Sequence, residues 1–236
     1  MNRSRQSLKL KHPRIVATIP CFNTERSIGQ VISETKKYVD QVIVIDDGSH
    51  DSTVATSGAA GALVVEHGTN KGYGEAVKSC FEVARTNGAD ILVTLDGDRQ
   101  HNPEEIPRLI APLLSGEADL VIGSRFLSGQ DSMPRYRKLG VRIITFLYNL
   151  GSKVKVSDTQ SGYRAYSKKI FDGLSLSEKG MGVSIEILEK ACRKRAIIEE
   201  VPISCLYFTS TLNLKAIRHG LSVALSLLRI RFKNSL

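Results

Sequence analysis

Short apolar runs alternate with amphipathic segments along the first 125 residues. Five β-branched runs are typical of strands buried on both faces, at 15–19, 42–45, 63–65, 91–95 and 120–122. Between them, apolar positions recur at helical spacing over 26–38, 52–60, 73–87 and 104–115. This β-α-β-α order predicts an α/β fold in which helices flank a mostly parallel, doubly wound sheet.

The order changes after residue 125. A loop at 126–136 is followed by a helical pattern at 137–150, a strand-like GYRAY at 162–166, a helix at 183–194 and a strand at 197–203. We expect a basic tail at 1–13 and one globular domain at 14–212, with a parallel half at 14–126 and a mixed half at 127–212. Residues 213–236 predict a C-terminal amphipathic helix. Its apolar face would comprise Leu214, Ile217, Leu221, Leu225, Leu228 and Phe232.

Composition narrows the class of protein. Hydrophobic residues make up 42% of the chain and charged residues 24%, which suits a packed domain. The four cysteines are scattered and form no C-x-x-C pair, so we expect a reducing, cytoplasmic chain without a disulfide framework or zinc site. No window reaches about 18 uncharged apolar residues, and residues 1–14 lack the apolar core of a signal peptide. Any contact with a membrane is therefore expected to be peripheral.

The net charge of +9 indicates an anionic partner. An aromatic content of 6% without tryptophan argues against a nucleic-acid module that stacks bases. The 137–150 segment combines Ile143 and Phe146 with Arg137 and Arg142, so it and the C-terminal helix could lie on an anionic membrane. Core packing with extended cationic side chains is the alternative for both helices, and a homo-oligomer contact is a second alternative for the C-terminal one.

The most informative motif is the pair Asp96 and Asp98, separated by Gly97, at the carboxyl end of the run 91–95. Ligands of open α/β sheets bind at that end of the strands. Gly97 would permit a tight turn, and two carboxylates at i and i+2 can share one Mg²⁺ or Mn²⁺ ion. An Asx-rich turn before a helix is the alternative interpretation.

Polar clusters also follow the neighbouring runs. They are PCFNTE at 20–25, DDGSHDS at 46–52 and GSR at 123–125, and together they predict a cleft along one edge of the sheet. The segment KGYG at 71–74 lacks the spacing of a P-loop or a dinucleotide fingerprint, so we expect it to begin a helix close to the ligand.

The chain resembles the family 2 glycosyltransferases, which have the GT-A nucleotide-sugar fold. The segments that carry the resemblance occur in the family's order over about 14–126: IPCFNTERSI, VIVIDDGSHDST, NKGYGEA, LDGDRQHNPEEIP and VIGSRF. DTQSGYRAYS at 158–167, the helix near Glu186 and EEVPI at 199–203 further resemble the dolichyl- and polyprenyl-phosphate sugar synthases. The resemblance implies inverting, metal-dependent transfer of a hexose from a UDP- or GDP-sugar to a polyprenyl phosphate at the cytoplasmic face of a membrane.

The resemblance also implies that 14–126 is a nucleotide-binding half and 127–212 an acceptor half, and it implies roles for individual residues. The nucleotide-sugar would be bound by Pro20, Phe22, Asn23, Glu25, Asp46, Asp47, Lys71, Asp96 and Gly97. The divalent metal would be held by Asp96, Asp98 and Gln100. The catalytic group would comprise Asp98, Arg125, Arg137, Asp158 and Arg164, with arginines meeting a phosphate. The chain departs from the family pattern at Glu25, which comes one residue late. It also departs at SCLYFTSTLNLK (204–215), which lacks the Arg and Gly of mannose-specific relatives and leaves other hexoses open.

Chemistry separates the possible acceptors. A lipid phosphate is already an anion and needs cations such as Arg125 rather than a general base. A glycan or protein hydroxyl needs a carboxylate base, for which Asp158 and Glu186 are the candidates. A third possibility is a non-catalytic binder of nucleotide-sugars or nucleic acid, and the intact Asp96 and Asp98 argue against it.

Overall fold

The computed structural model describes residues 12–128 and 133–207 and, near the C terminus, residues 223, 225–227 and 229–230. Seven strands form one sheet in the order β3-β2-β1-β4-β6-β5-β7. Their bounds are β1 Ile15–Cys21, β2 Gln41–Asp46, β3 Leu63–Glu66, β4 Ile91–Thr94, β5 Leu120–Ser124, β6 Arg164–Ser167 and β7 Ile198–Pro202. Among these strands β6 alone runs antiparallel to its neighbours, β4 and β5. The predicted mostly parallel sheet is confirmed.

Helices cover both faces of the sheet. They are α1 Ile28–Thr35, α2 Thr53–Ala59, α3 Tyr73–Thr86, α4 Ile106–Leu114, α5 Arg135–Gly151, α6 Lys168–Gly173 and α7 Val183–Arg193, with a 3-10 turn at Pro103–Glu105. One core layer includes Phe81 of α3, Tyr148 of α5 and Leu188 of α7. The other includes Ile32 of α1 and Leu109 of α4. The sequence did not predict α6, because a six-residue helix is too short to show an apolar repeat.

The antiparallel strand β6 is what completes the cleft edge. Because β6 runs against its neighbours, its first residue, Arg164, pairs with Thr94 at the end of β4 and with Ile122 in β5. The segment 158–163 before it therefore lies at the same edge as the carboxyl ends of β1, β2, β4 and β5. The sequence predicted a strand here but not its direction.

The described residues near the C terminus are helical, and they pack into the core of this chain. Val223, Leu227 and Ile230 are buried in the layer that contains α3, α5 and α7, whereas Leu225 is 46% exposed. Leu225 belongs to the predicted apolar face but is exposed, whereas Val223, Leu227 and Ile230 lie outside that predicted set and are buried. The helix therefore carries apolar residues on more than one side. The remainder of 208–236 and residues 1–11 lie outside the described residues, so membrane or oligomer contacts of this helix stay predictions.

No helix in the described part of the chain has both the length and the apolar character required to cross a bilayer.

Packing of the C-terminal helix can be tested with two leucines two residues apart. We expect Leu227→Ala to lower the free energy of unfolding by about 2–5 kcal/mol, because it opens a cavity in the core. Leu225→Ala should change it by less than about 0.5 kcal/mol, because its side chain is half exposed. Urea denaturation measures both, and equal effects would contradict the packing.

Candidate active site

The loops after β1 and β2 are bound together by polar side chains. The backbone amide of Asn23 donates to Ser49 Oγ (2.8 Å), and the backbone amide of His50 donates to Asn23 Oδ1 (2.9 Å). Glu25 Oε2 accepts from the Ser52 amide (3.0 Å), so its carboxylate holds the neighbouring loop. Asn23 has a φ of 54°, which asparagine tolerates better than most residues. Phe22 remains 44% exposed at this edge, and its ring forms a T-shaped pair with the ring of His50.

Asp46 and Asp47 have different environments. Asp47 is fully engaged: its carboxylate accepts from the amides of Lys71 (2.9 Å) and Gly72 (2.8 Å) and contacts His67 Nδ1 (2.7 Å). Asp46 Oδ2 accepts from the Ser49 amide (3.0 Å), but Oδ1 is buried without a partner among the described residues. An unpaired buried acceptor calls for a donor from outside the chain. Asp47 thus positions the loop before α3, and Asp46 is the one that can meet a ligand.

His67 also contacts Ser79 Oγ through Nε2 (2.8 Å), which completes a Ser-His-Asp sequence of hydrogen bonds with Asp47. Such a relay can activate a serine nucleophile only beside donors that stabilise an oxyanion. Ser79 lies in the middle of α3, where neighbouring amides belong to helical hydrogen bonds. We therefore assign this relay to holding α3 against the loop at 67–72.

The side chains of Asp96 and Asp98 form a pair of neighbouring carboxylates after the end of β4. About a third of the Asp96 side chain is exposed, yet surrounding protein raises its pKa to about 6, and the charge of Arg125 offsets this only in part. Burial raises the pKa of Asp98 as well, and the nearby Asp96 raises it further. Within the described residues, neither oxygen of Asp96 accepts a hydrogen bond. Two carboxylates that destabilise each other's charge favour a bound cation.

The donor set fits a hard divalent ion. Gln100 donates to the Asp98 carboxylate from its backbone amide (3.0 Å) and from its side-chain Nε2 (2.6 Å). The three predicted ligands therefore belong to one loop. In the described ranges 12–128 and 133–207, no three His, Cys, Asp or Glu side chains cluster tightly enough to hold a metal alone. Mg²⁺ sites commonly use one or two carboxylates and complete their shell with water and substrate phosphates.

His101 contacts the backbone of the loop that carries the two carboxylates. It is 4% exposed, stacks on Tyr163 with ring centroids 5.0 Å apart, and accepts the Asp96 amide at Nδ1 (3.2 Å). Burial lowers the pKa of His101 to about 4, so the ring is neutral and can accept through Nδ1. His101 therefore orients the backbone of Asp96.

The structure corrects the reason for Gly97. The residue with positive φ in this turn is Arg99 (64°), and Gly97 is not in the left-handed region. A Cβ on Gly97 would lie 2.6 Å from Cys21 Sγ and 3.2 Å from Ile28 Cδ1. Glycine is thus required for close packing against β1 and α1, and the contact of Gly97 with the nucleotide-sugar stays a prediction.

Arg125 and Asp158 form a bidentate ion pair. Arg125 Nε and Nη2 donate to the two carboxylate oxygens at 2.7 and 2.8 Å, and Asp158 also accepts from the amides of Gln160 and Ser161. Burial alone would raise the pKa of Asp158, but Arg125 reverses the effect and the pKa is lowered. Asp158 is fully buried and has both oxygens engaged, so it is not available as a general base.

Glu186 is engaged in the same way. Its carboxylate accepts from the amides of Ser177 and Glu178 and pairs with Lys190 at 2.8 Å. Burial opposes ionisation, but these contacts lower the pKa of Glu186 overall. Glu186 therefore fixes the loop before α7.

The remaining predicted arginines are separated by the structure. Arg164 is 1% exposed and donates to the carbonyls of Thr159 (2.8 Å) and Ser184 (3.1 Å), so it joins the segment before β6 to α7, and its contact with a substrate stays a prediction. Arg137 is exposed in the first turn of α5, where its guanidinium lies over the ring of Tyr207. Lys71 is exposed beside Asp47, and Pro20 is the last residue but one of β1, at the same edge.

The sequence profile described as Glycosyl transferase family 2 matches residues 17–174, from β1 to the end of α6. The chain belongs to glycosyltransferase family 2. The match includes the loops that carry Asp46, Asp96, Asp98 and Arg125, so the matched region contains the cleft edge.

Relatives and a solved structure agree with this assignment. The chain is 32% identical over 215 residues to the UDP-N-acetylglucosamine–dolichyl-phosphate N-acetylglucosaminyltransferase of Methanococcus voltae, covering 82% of this chain and 86% of the relative. It is 31% identical over 207 residues to the polyprenol monophosphomannose synthase of Mycolicibacterium smegmatis, covering 81% and 77%. Glucosyl-3-phosphoglycerate synthase from Mycobacterium tuberculosis, solved with Mn²⁺, UDP-glucose and phosphoglyceric acid, superposes with a TM-score of 0.74 at 26% identity, covering 92% and 79%. The GT-A fold is confirmed, and the chain is a glycosyltransferase.

Sequence reasoning on this glycosyltransferase missed Tyr73 and the steric role of Gly162. A Cβ on Gly162 would lie 3.0 Å from the Tyr73 hydroxyl and 3.2 and 3.3 Å from the two carboxylate oxygens of Asp96. The Tyr73 hydroxyl and the Asp96 carboxylate therefore approach the same position beside Gly162. The Tyr73 ring packs against the core. The glycine of the SGYR segment was the available signal, because a position without a side chain often marks a close approach.

Gly162 can be tested by adding one methyl group. We expect Gly162→Ala to weaken Mn²⁺ binding about ten-fold, because the Asp96 carboxylate must turn away from the new Cβ. Gly180→Ala is the matched control, since a Cβ there meets nothing within 4 Å. Metal titration by calorimetry, with the nucleoside diphosphate present, measures both variants. Equal affinities would show that Asp96 tolerates the methyl group.

Proposed function

We propose that this glycosyltransferase moves a hexose from a nucleoside-diphosphate sugar to a polyprenyl phosphate, with inversion at the anomeric carbon. The observation that carries the proposal is the state of the acceptor-side carboxylates. Asp158 and Glu186 are both buried and fully hydrogen bonded, with lowered pKa values, so neither is free to deprotonate a hydroxyl. A phosphate acceptor needs no such base, and two relatives at about 30% identity carry names with dolichyl-phosphate or polyprenol acceptors.

The donor half supports a nucleotide-sugar and a divalent ion. The unpaired Oδ1 of Asp46 and the exposed ring of Phe22 provide polar and aromatic contacts for a nucleoside. Asp96, Asp98 and Gln100 would hold Mg²⁺ or Mn²⁺, and the structural neighbour was solved with Mn²⁺ and UDP-glucose. A divalent ion held by these residues would neutralise the charge that develops on the departing diphosphate. The contacts of Asp46 suit the base or ribose of either UDP or GDP.

The acceptor half supplies positive charge. Arg125 is held at the end of β5 by Asp158, which offsets part of its charge, and Arg137 is exposed on α5. Arginine binds phosphate through paired hydrogen bonds, and these two residues would hold an acceptor phosphate beside the donor diphosphate. Attack by that phosphate on the face opposite the departing diphosphate gives inversion.

One observation favours a second candidate, transfer to the hydroxyl of a small anionic acceptor. The structural neighbour is a glucosyl-3-phosphoglycerate synthase solved with phosphoglyceric acid, so its acceptor site accommodates a soluble anion. The same arginines would suit such a ligand. The two candidates differ in whether the acceptor carries an apolar chain and whether its phosphate is the nucleophile.

A radiolabel transfer assay separates them. UDP- and GDP-hexoses are offered with Mn²⁺ to dolichyl phosphate, to the unphosphorylated dolichol and to 3-phosphoglycerate. We expect label in the organic phase with dolichyl phosphate only, and none after EDTA treatment. Label on dolichol or 3-phosphoglycerate would support a hydroxyl acceptor and overturn the proposal.

Asp98 tests the metal in the same assay. We expect Asp98→Ala to lower transfer by two orders of magnitude or more, roughly the effect of removing an electrostatic contribution to the transition state. Asp172→Ala is the control, because Asp172 lies on α6 beyond the far end of β6 and pairs with Lys168 at the surface. Near-normal transfer by Asp98→Ala would remove Asp98 from the mechanism.

The proposed partner of α5 is an anionic membrane surface. Leu139, Ile143, Phe146 and Leu150 are each at least half exposed, and their spacing places them along one side of the helix. The opposite side, with Ile144 and Tyr148, packs into the core. Cations on the same helix complement anionic lipid: Arg135, Arg137, Lys138 and Arg142. An apolar stripe beside cations is the pattern of a helix that lies in the membrane interface.

Binding to vesicles tests this surface. We expect Ile143→Ser combined with Phe146→Ser to weaken cosedimentation with vesicles containing phosphatidylglycerol about ten-fold, because two exposed apolar side chains are lost. Leu114→Ser is the matched control, since Leu114 is 51% exposed but ends α4 in the other helical layer. Equal loss in both variants would point to a general effect of surface polarity.

A further inference from the structure

The segment after β7 joins the metal-binding loop to the acceptor arginines. The Ser204 amide donates to Glu105 Oε1 (2.9 Å), and the Leu206 amide donates to the Gln100 carbonyl (2.9 Å). Cys205 forms an antiparallel bridge with His101. These contacts fix residues 204–206 against the loop that carries Asp96 and Asp98. The next residue, Tyr207, reaches towards the other half of the cleft.

Tyr207 contacts both arginines assigned to the acceptor. Its hydroxyl accepts a hydrogen bond from Arg125 Nη1 at 3.2 Å. Its ring lies under the guanidinium of Arg137, with the guanidinium carbon 5.5 Å from the ring centroid. Arg125 follows β5 and Arg137 belongs to α5, so a single side chain connects cations from two different elements.

The chemistry of a phenol suits this position. Arg125 already shares both oxygens of Asp158, and a second carboxylate would cancel the remaining positive charge of the pair of arginines. Burial raises the pKa of Tyr207 although Arg125 opposes it, so the phenol is neutral at physiological pH. Tyr207 can therefore orient the guanidinium groups without neutralising them. Arg125 retains N–H donors that neither Asp158 nor Tyr207 uses.

We propose that Tyr207 is a positioning residue for the acceptor phosphate, which holds Arg125 and Arg137 side by side so that one anion meets both. The proposal rests on the proposed function, because it concerns the acceptor of that reaction. Through Leu206 and Cys205 the same side chain is anchored to the metal-binding loop, so the distance between the acceptor arginines and the donor carboxylates is set by a segment of four residues.

Two substitutions separate the hydroxyl from the ring. In Tyr207→Phe the hydrogen bond to Arg125 is lost and the ring under Arg137 is kept, so we expect the KM for farnesyl phosphate to rise about five-fold. In Tyr207→Leu both contacts are lost, and the rise should be about twenty-fold. The KM for the nucleotide-sugar should stay within about two-fold in both variants, because the donor contacts lie elsewhere. A merely structural role would move both KM values together.

Tyr38→Phe is the matched control, since Tyr38 is a partly buried phenol in the layer of α1 and α4. Thermal unfolding and calorimetric binding of farnesyl phosphate without donor accompany the kinetics, and Tyr207→Phe keeps the test valid if Tyr207→Leu fails to fold. Wild-type transfer with unchanged acceptor KM and unchanged farnesyl phosphate binding in Tyr207→Phe would overturn the role of Tyr207 and leave the proposed function standing. Absence of wild-type transfer to any polyprenyl phosphate would overturn the proposed function and this inference with it.

Discussion

The ion pair between Arg125 and Asp158 determines what the acceptor half of the cleft can do. Both groups are largely buried, and an unpaired charge there would be costly, so each requires the other. The pair fixes the end of β5 against the segment before β6, which is how an antiparallel strand contributes to an edge made by parallel ones. It also removes Asp158 from acid–base chemistry. A single interaction thereby shapes the cleft and limits the acceptors that it can activate.

Carboxylates of the cleft divide into those that the chain satisfies and those that it leaves open. Asp47 and Glu186 accept backbone amides and pair with a basic or imidazole side chain, and they hold loops. Within the described residues, one oxygen of Asp46 is buried without such a donor, and the partly exposed Asp96 accepts no hydrogen bond. Because a buried acceptor without a donor is costly, the open group marks where ligand atoms or a cation would be stabilising. This distinction depends on three-dimensional contacts, so neighbouring aspartates such as Asp46 and Asp47 looked equivalent in the sequence.

The strands and the cleft edge were predictable because they depend on local patterns. Strands buried on both faces need continuous β-branched runs, and parallel strands bring polar residues that follow them to one edge. The direction of β6, the reason for Gly97 and the role of Tyr207 were not predictable, because each depends on a partner distant in sequence. Tyr207 meets Arg125 across 82 positions. The burial of Arg164 was not predictable either, because the Ser184 carbonyl that it contacts, 20 residues along the chain, lies next to it only in the folded structure.

The shape of α5 relates the chemistry of the cleft to the chemistry of the proposed acceptor. Its first turn carries Arg137, beside Tyr207 and Arg125, and its exposed apolar stripe begins at Leu139 and continues to Leu150. The stripe extends over roughly 16 Å along α5, on the side of the helix nearly opposite Arg137. A polyprenyl phosphate combines an anionic head with an apolar chain, so it could use both features of the helix. A soluble phosphorylated acid would use the arginines but not the stripe, and exposed apolar surface needs a partner. The helix as a whole therefore favours the lipid over the soluble acid.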